Sequence, residues 1–240
     1  MQVEQIRIDM KEFDIAGPKG GACTNESMTI MGADAVTHKI LPDMLCGVLT
    51  GQHVYLSVKD LGTGDKDFIT IEIALTSQGM QKWELLITQI EGDATDDLAP
   101  RGCLQYFKEE AGTFSTFNWD SGNGNVINGN QYSICIKDND AYCDVALTAN
   151  MDFELKQDST TSTCNDKVAF GTNVYCGTTF DGDNMATCKK PTLFTQTHIF
   201  CFAGNYTGAY QIPVFISGDP MVELNTPAVG FEISYVLLPC

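Results

Sequence analysis

Ten cysteines are spread through 240 residues, and no two of them form a Cys-x2-Cys pair. A chain of this length and ordinary apolar content buries a core without cross-links. The cysteines therefore point to an oxidising compartment, where disulfides persist, rather than to a domain too small to fold. Their spacing, with only three scattered histidines (His38, His53 and His198), argues against a zinc centre. What remains is a disulfide framework whose connectivity spacing alone does not settle. The stretch QYSICIKDNDAYCDVAL poses the question directly, because Cys135 and Cys143 flank one acidic turn. Either they pair across it, or each ties its own strand to something distant.

Between the cysteines the dominant period is two. Ile6, Ile8 and Met10 alternate, as do Val54, Leu56 and Val58, then Ile69, Ile71 and Ile73, with Leu85 and Ile87 following. Alternation of β-branched and large apolar residues predicts half-buried strands. Clusters such as GTGDKD, DSGNGNVINGN and DGDN separate them as turns. Helical periodicity is nearly absent. The fold class expected is all-β, in antiparallel sandwiches.

The formal net charge is −17, and the acids are dispersed rather than gathered in a tail. Such a surface repels phosphate backbones and anionic lipid, so nucleic acid and membrane insertion are poor expectations. Solubility explains the charge by itself; calcium or a basic protein are the partners it favours. The opening MQVEQIRIDMKEF has no basic start followed by an apolar run. Ten cysteines without a signal peptide suggest a mature piece or a truncated form of a longer secreted precursor.

An acidic, apolar-poor stretch at 93–102 reads as a linker between a shorter front part, 1–92, and a longer rear part, 103–240. The two parts repeat each other. Cys23 and Cys46 are separated by nearly the same distance as Cys164 and Cys188, and a His-led strand follows each pair, HVYL and HIFC. Both parts close on an aromatic-led strand, WELLITQI and FEISYVLL. The front part lacks a counterpart of 103–150, so its opening strands are missing.

The words APRGCLQYF, GTFSTFN, NGNQYSICI and AYC, in that order, with GFEISY at Gly230–Tyr235, resemble a group of secreted arthropod proteins built from CUB domains. The resemblance implies two antiparallel jelly-roll-type sandwiches, a partial module at 1–92 and a full one at 103–240. It also implies disulfides Cys103–Cys135 and Cys164–Cys188, with Cys23–Cys46 as the front counterpart. In that group a cysteine at the position of Cys143 accompanies one at the module's end, which implies Cys143–Cys240 and leaves Cys176–Cys201. The alternative of Cys164–Cys176 with Cys188–Cys201 stays open. On this scheme Cys135 and Cys143 do not pair.

Many CUB domains hold one calcium through carboxylates at one end of the sandwich. The resemblance carries this to Glu154, Asp166 and Asp219, whose hard oxygens suit calcium; three ordinary exposed acids are the plain alternative. In the front part Ala16 stands where the Glu is expected, Glu26 follows Cys23 and Ser77 replaces the late Asp, so no site is expected there. Asn25 in NES and Asn205 in NYT fit the glycosylation sequon. No nucleophile or metalloprotease motif is present, so a catalytic role is not expected. The expected function is non-catalytic: a secreted, extracellular CUB-containing glycoprotein that binds protein or glycan. Two alternatives stand beside it. One is a structural subunit of an extracellular oligomer or filament, self-associating through exposed strand edges. The other is an accessory region of a larger secreted protease.

Overall fold

A computed structural model describes residues 2–33, 35–58, 68–76, 79–150, 152–171, 173–180, 185–189, 209–217 and 228–240. Asp219, Asn205, Cys201, Ser77 and His198 lie outside these described residues. Strands dominate, as the alternation predicts. The first 92 residues form β1 (Val3–Asp14), β2 (Ser27–Met31), β3 (His53–Ser57), β4 (Thr70–Ala74) and β5 (Lys82–Glu91), with one short helix, α1 (Ala35–Ile40). The rest forms β6 (Gln105–Phe107), β7 (Ala111–Ser115), β8 (Gln131–Lys137), β9 (Tyr142–Ala149), β10 (Lys167–Phe170), β11 (Asn173–Tyr175), β12 (Met185–Lys189), β13 (Ala209–Phe215) and β14 (Glu232–Pro239).

In the rear part a four-stranded sheet, β12-β9-β14-β7, accompanies a five-stranded sheet, β11-β10-β13-β8-β6. All pairings are antiparallel except β6 with β8. Alternate residues of both sheets, such as Ile134, Ile136 and Ile212 from one and Leu147, Ile233 and Tyr235 from the other, pack into one core. This is the sandwich solution to two half-apolar sheets.

The front part reproduces half of this plan. Its sheet order β3-β1-β5 matches β12-β9-β14, and β2-β4 matches β10-β13, strand for strand along the chain. Among the described residues no front strand corresponds to β6, β7 or β8. The internal repeat read from the cysteine spacing reappears as a repeat of strand order, but HVYL on β3 matches β12 (Met185–Lys189), while HIFC lies outside the described residues.

The two parts meet across a continuous core: Ile8, Phe13 and Val54 belong to the same buried cluster as Leu104, Phe117 and Tyr132. Where β3 runs beside β6, the Tyr55 amide donates to the Leu104 carbonyl at 2.8 Å. His53, buried at the start of β3, brings Nε2 within 3.0 Å of the Tyr106 amide and within 3.0 Å of its carbonyl. Asn118 reaches the other way, its side-chain oxygen accepting from the Val48 amide at 2.9 Å. That reach requires Gly47, at φ +81°, because a Cβ there would lie 1.9 Å from the Asn118 oxygen. The stretch read as a linker also packs: Ala99 is buried, and its amide and carbonyl bond the Gln5 side chain at 2.8 and 2.7 Å.

Candidate functional site

Of the three acids singled out by sequence for calcium, Glu154 and Asp166 lie among the described residues. Glu154 follows β9 and joins a two-residue bridge with Gly230: each amide donates to the other's carbonyl, at 2.8 and 2.9 Å. Gly230 has φ +100°, and a Cβ there would stand 2.1 Å from Thr116 Oγ1, the group that accepts the Phe231 amide. Backbone closeness, which only glycine allows, therefore holds Glu154 beside the start of β14.

Asp166 precedes β10 and is fully buried. Its two oxygens accept one amide each, from Ser217 at 2.7 Å and from Lys156 at 3.3 Å. Burial raises its pKa above the usual aspartate value, and the amides of Ser217 and Lys156, with the Lys156 charge, oppose that only in part. Among the described residues no three His, Cys, Asp or Glu side chains gather as a metal-binding cluster. Asp219, the third acid of the expected set, lies outside them.

The front part carries a counterpart, Glu26, which sequence reading named only in a set expected to hold no calcium. Glu26 follows Cys23 as Asp166 follows Cys164, and it too is buried. It accepts the Ala16 amide at 2.7 Å, the Thr76 amide at 3.0 Å, Thr76 Oγ1 at 2.8 Å and Gln81 Nε2 at 2.6 Å. These bonds, the Ala16 amide foremost, overcome burial and pull its pKa down to about 2. Both acids pin the chain about ten residues before them and a loop about fifty after. Glu26 does so with four donors, Asp166 with two. A signal for this was present in sequence, an acid just past the first cysteine of each repeat, but not the count of donors.

Four disulfides close among the described residues: Cys23–Cys46, Cys103–Cys135, Cys143–Cys240 and Cys164–Cys176. Cys135 and Cys143 stand on β8 and β9, in opposite sheets, and do not bond to each other. The fourth bond corrects the expectation of Cys164–Cys188 and Cys176–Cys201. The β10-β11 hairpin pairs Val168 with Tyr175, and the 155–157 segment bridges both Gly177 and Cys164. These contacts bring Cys164 and Cys176 to a Cα separation of 5.6 Å. Cys188 sits on β12 opposite Val145, in the other sheet. Equal spacing in the two repeats did not carry equal pairing, because the front part has α1 where the rear has β11.

Asn25 is exposed on the loop before β2, while its neighbour Glu26 turns inward. Among the aromatics, Tyr106 is buried in the core and Trp83 is exposed on β5. No helix among the described residues is long and apolar enough to cross a membrane.

A family model described as the Animal CUB domain matches residues 100–238. No curated protein matches the chain. Among solved structures, it is similar to the MASP-1 CUB2 domain bound to Ca2+, at 14% identity over 55% of this chain and 96% of that one, with a TM-score of 0.36. The CUB1-EGF-CUB2 domain of human MASP-1/3 is similar at 11% identity over 98% of this chain and 88% of that one, TM-score 0.37. The CUB1-EGF-CUB2 domains of rat MASP-1 give the same four figures, 11%, 98%, 88% and 0.37.

Proposed function

The chain belongs to the animal CUB-domain family, and from that premise we propose that it is a secreted, non-catalytic recognition protein, binding an extracellular protein or glycan. The family match over 100–238 carries the reading. The modules proposed are a full one at 103–240 and a partial one at 1–92. Four disulfides suit an oxidising, extracellular setting. Asn25, exposed on its loop, is proposed as a glycan acceptor together with Asn205.

Calcium enters the proposal through Glu154, Asp166 and Asp219. What supports it is the contrast between the two buried acids. Glu26 has four donors and a depressed pKa, so its charge is compensated without a cation. Asp166 has two amides and a raised pKa, so burial is only partly offset. A divalent cation would add to the partial compensation that Lys156 gives Asp166 in the rear module and has no task in the front one. Calcium would neutralise the acids and stiffen the loops that carry them. Melting of the full chain in calcium and in chelator tests this: at about a hundred times the dissociation constant, binding stabilises by roughly 2.7 kcal/mol. Asp219→Ala should abolish the shift and Glu26→Gln should leave it intact. Equal melting in both solutions removes calcium from the proposal. Recognition itself is tested by screening the full chain against glycan and extracellular-protein panels. Turnover of a substrate with no stable binding would overturn it.

A further inference from the structure

Where the 50–52 loop of the front part meets β6, β7 and β14, a pocket of about 170 Å³ opens among Thr50, Gln52, Gln105, Phe107, Ser115 and Glu232. It lies on the β3 side of the front sheet, opposite the edge of β5. Neither Glu154 nor Asp166 lines it. Gln52 builds one wall. Its Nε2 donates to the Ser115 carbonyl at 3.4 Å, to Ser115 Oγ at 2.9 Å and to the Thr116 carbonyl at 3.0 Å, along β7. Thr50 Oγ1 is committed too, accepting the Phe13 amide at 2.9 Å and donating to the Phe13 carbonyl at 3.2 Å. With Nε2 so placed, Gln52 Oε1 is buried and has no hydrogen-bond partner. Gln105, itself 1% exposed, leaves its own Oε1 in the same state. Buried polar atoms are almost always paired, and an unpaired one carries its full desolvation cost. Two such oxygens beside one small pocket are two acceptors in want of a donor. Glu232 is the third acceptor: it takes Asn150 Nδ2 at 2.7 Å, and among the described residues no Lys or Arg pairs with it.

We propose that this pocket receives the ammonium group of a lysine side chain from a basic partner protein. The inference rests on the recognition reading above and names the chemistry of the partner. An ammonium offers three N–H donors and no acceptor, which matches two amide oxygens and one carboxylate. Phe107 and Phe114, with ring centroids 6.0 Å apart, line the same pocket. Their rings suit the methylene stem of lysine, and aromatic faces attract the cation itself. The volume is close to that of an engineered cavity of about 150 Å³ that takes up benzene, and several times the roughly 30 Å³ share of one water. A single bridging water therefore would not fill it. An apolar group would leave all three acceptors unpaired, and an anion would meet acceptors in a chain of net charge −17. The same charge draws a basic protein toward the surface before it docks.

The test titrates the full chain, in chelator, with Nα-acetyl-lysine methylamide and follows the side-chain amide signals of Gln52 and Gln105 by nuclear magnetic resonance. Both signals should shift and saturate. Acetylating the ε-nitrogen of the probe removes its charge and two of its donors, and should weaken binding roughly tenfold or more. Glu232→Gln, which keeps an acceptor for Asn150, should weaken the charged probe by a similar factor. Glu84→Gln removes an equal charge from an exposed position on β5 and should leave binding unchanged. Gln105→Met deletes the buried acceptor at similar volume and should weaken binding as well. The absence of any saturable shift means that the pocket holds water only and overturns the proposal. Equal binding of the acetylated probe overturns it too, as does equal weakening by Glu232→Gln and Glu84→Gln, which would reduce the effect to diffuse charge. The probe reads the pocket without any partner, so its failure leaves the recognition reading standing.

Discussion

His53 couples the two parts of the chain, and its titration should be visible as a pH-dependent loss of stability. The ring is buried at the β3–β6 junction, between Tyr55 and Phe107 at centroid distances of 5.6 and 4.9 Å. Burial, with the nearby Arg7 charge, lowers its pKa from 6.5 to about 4. The neutral ring accepts the Tyr106 amide at Nε2; the imidazolium could not. The unfolded chain therefore takes up a proton near pH 6.5 while the folded chain resists until about pH 4. The stabilisation is present above pH 6.5 and is lost as pH falls through that window. Integrated to pH 4.5, one such group costs about 2.5 kcal/mol, a large part of a typical 5–15 kcal/mol stability. The assay is denaturant unfolding, followed by tryptophan fluorescence at pH values from 7.5 to 4.5, for wild type and His53→Gln. The variant keeps an acceptor and loses the proton site; His38, His198 and the carboxylates are common to both proteins and cancel in the difference. Wild type should approach or fall below the variant's stability as pH drops. Parallel pH profiles for the two proteins would refute the reasoning.

The buried acids should respond to pH with opposite signs. Glu26, depressed to about 2, contributes stability above the usual glutamate range that is lost as pH falls toward 2. Asp166, raised, favours the fold below the usual aspartate value and loses that contribution as pH rises. In calcium-free buffer at pH 7, Glu26→Gln should therefore cost more than Asp166→Asn, measured by chemical denaturation. Gly47→Ala should destabilise by about 2 kcal/mol or more, through the left-handed backbone and the displaced Asn118 side chain; an unchanged melting temperature would deny that Asn118 bridges the two parts. Non-reducing peptide mapping should recover Cys164 with Cys176, and removing the Cys143–Cys240 bond, which spans 97 residues, should cost about 4–5 kcal/mol in the loop-entropy model. Residues 1–92 expressed alone should not melt cooperatively as a monomer, because Ile8, Phe13 and Val54 share their core with Leu104 and Phe117.

Much of the architecture was legible in the chain itself, because period-two alternation is a local property. The runs around Ile8, Val54, Ile71 and Ile87 announce β1, β3, β4 and β5 wherever the rest of the molecule lies. The repeat was legible for a related reason: two segments that build the same strand order must repeat their apolar spacing. The missing opening strands followed from that repeat. Tertiary structure decided what depends on contacts between distant residues. Spacing drew Cys164 toward Cys188, but the β10-β11 hairpin set Cys176 beside it and sheet assignment put Cys188 on the other side of the sandwich. The segment 93–102 reads as a linker from composition; the bonds between Ala99 and Gln5 pin it to β1. Glu26 and Asp166 are alike in sequence, one acid behind one cysteine. The donors that converge on each, several from loops about fifty residues away, set a carboxylate whose pKa is pulled down apart from one whose pKa burial raises. Local periodicity is written residue by residue, whereas pairing, burial and charge compensation exist only once the chain has closed.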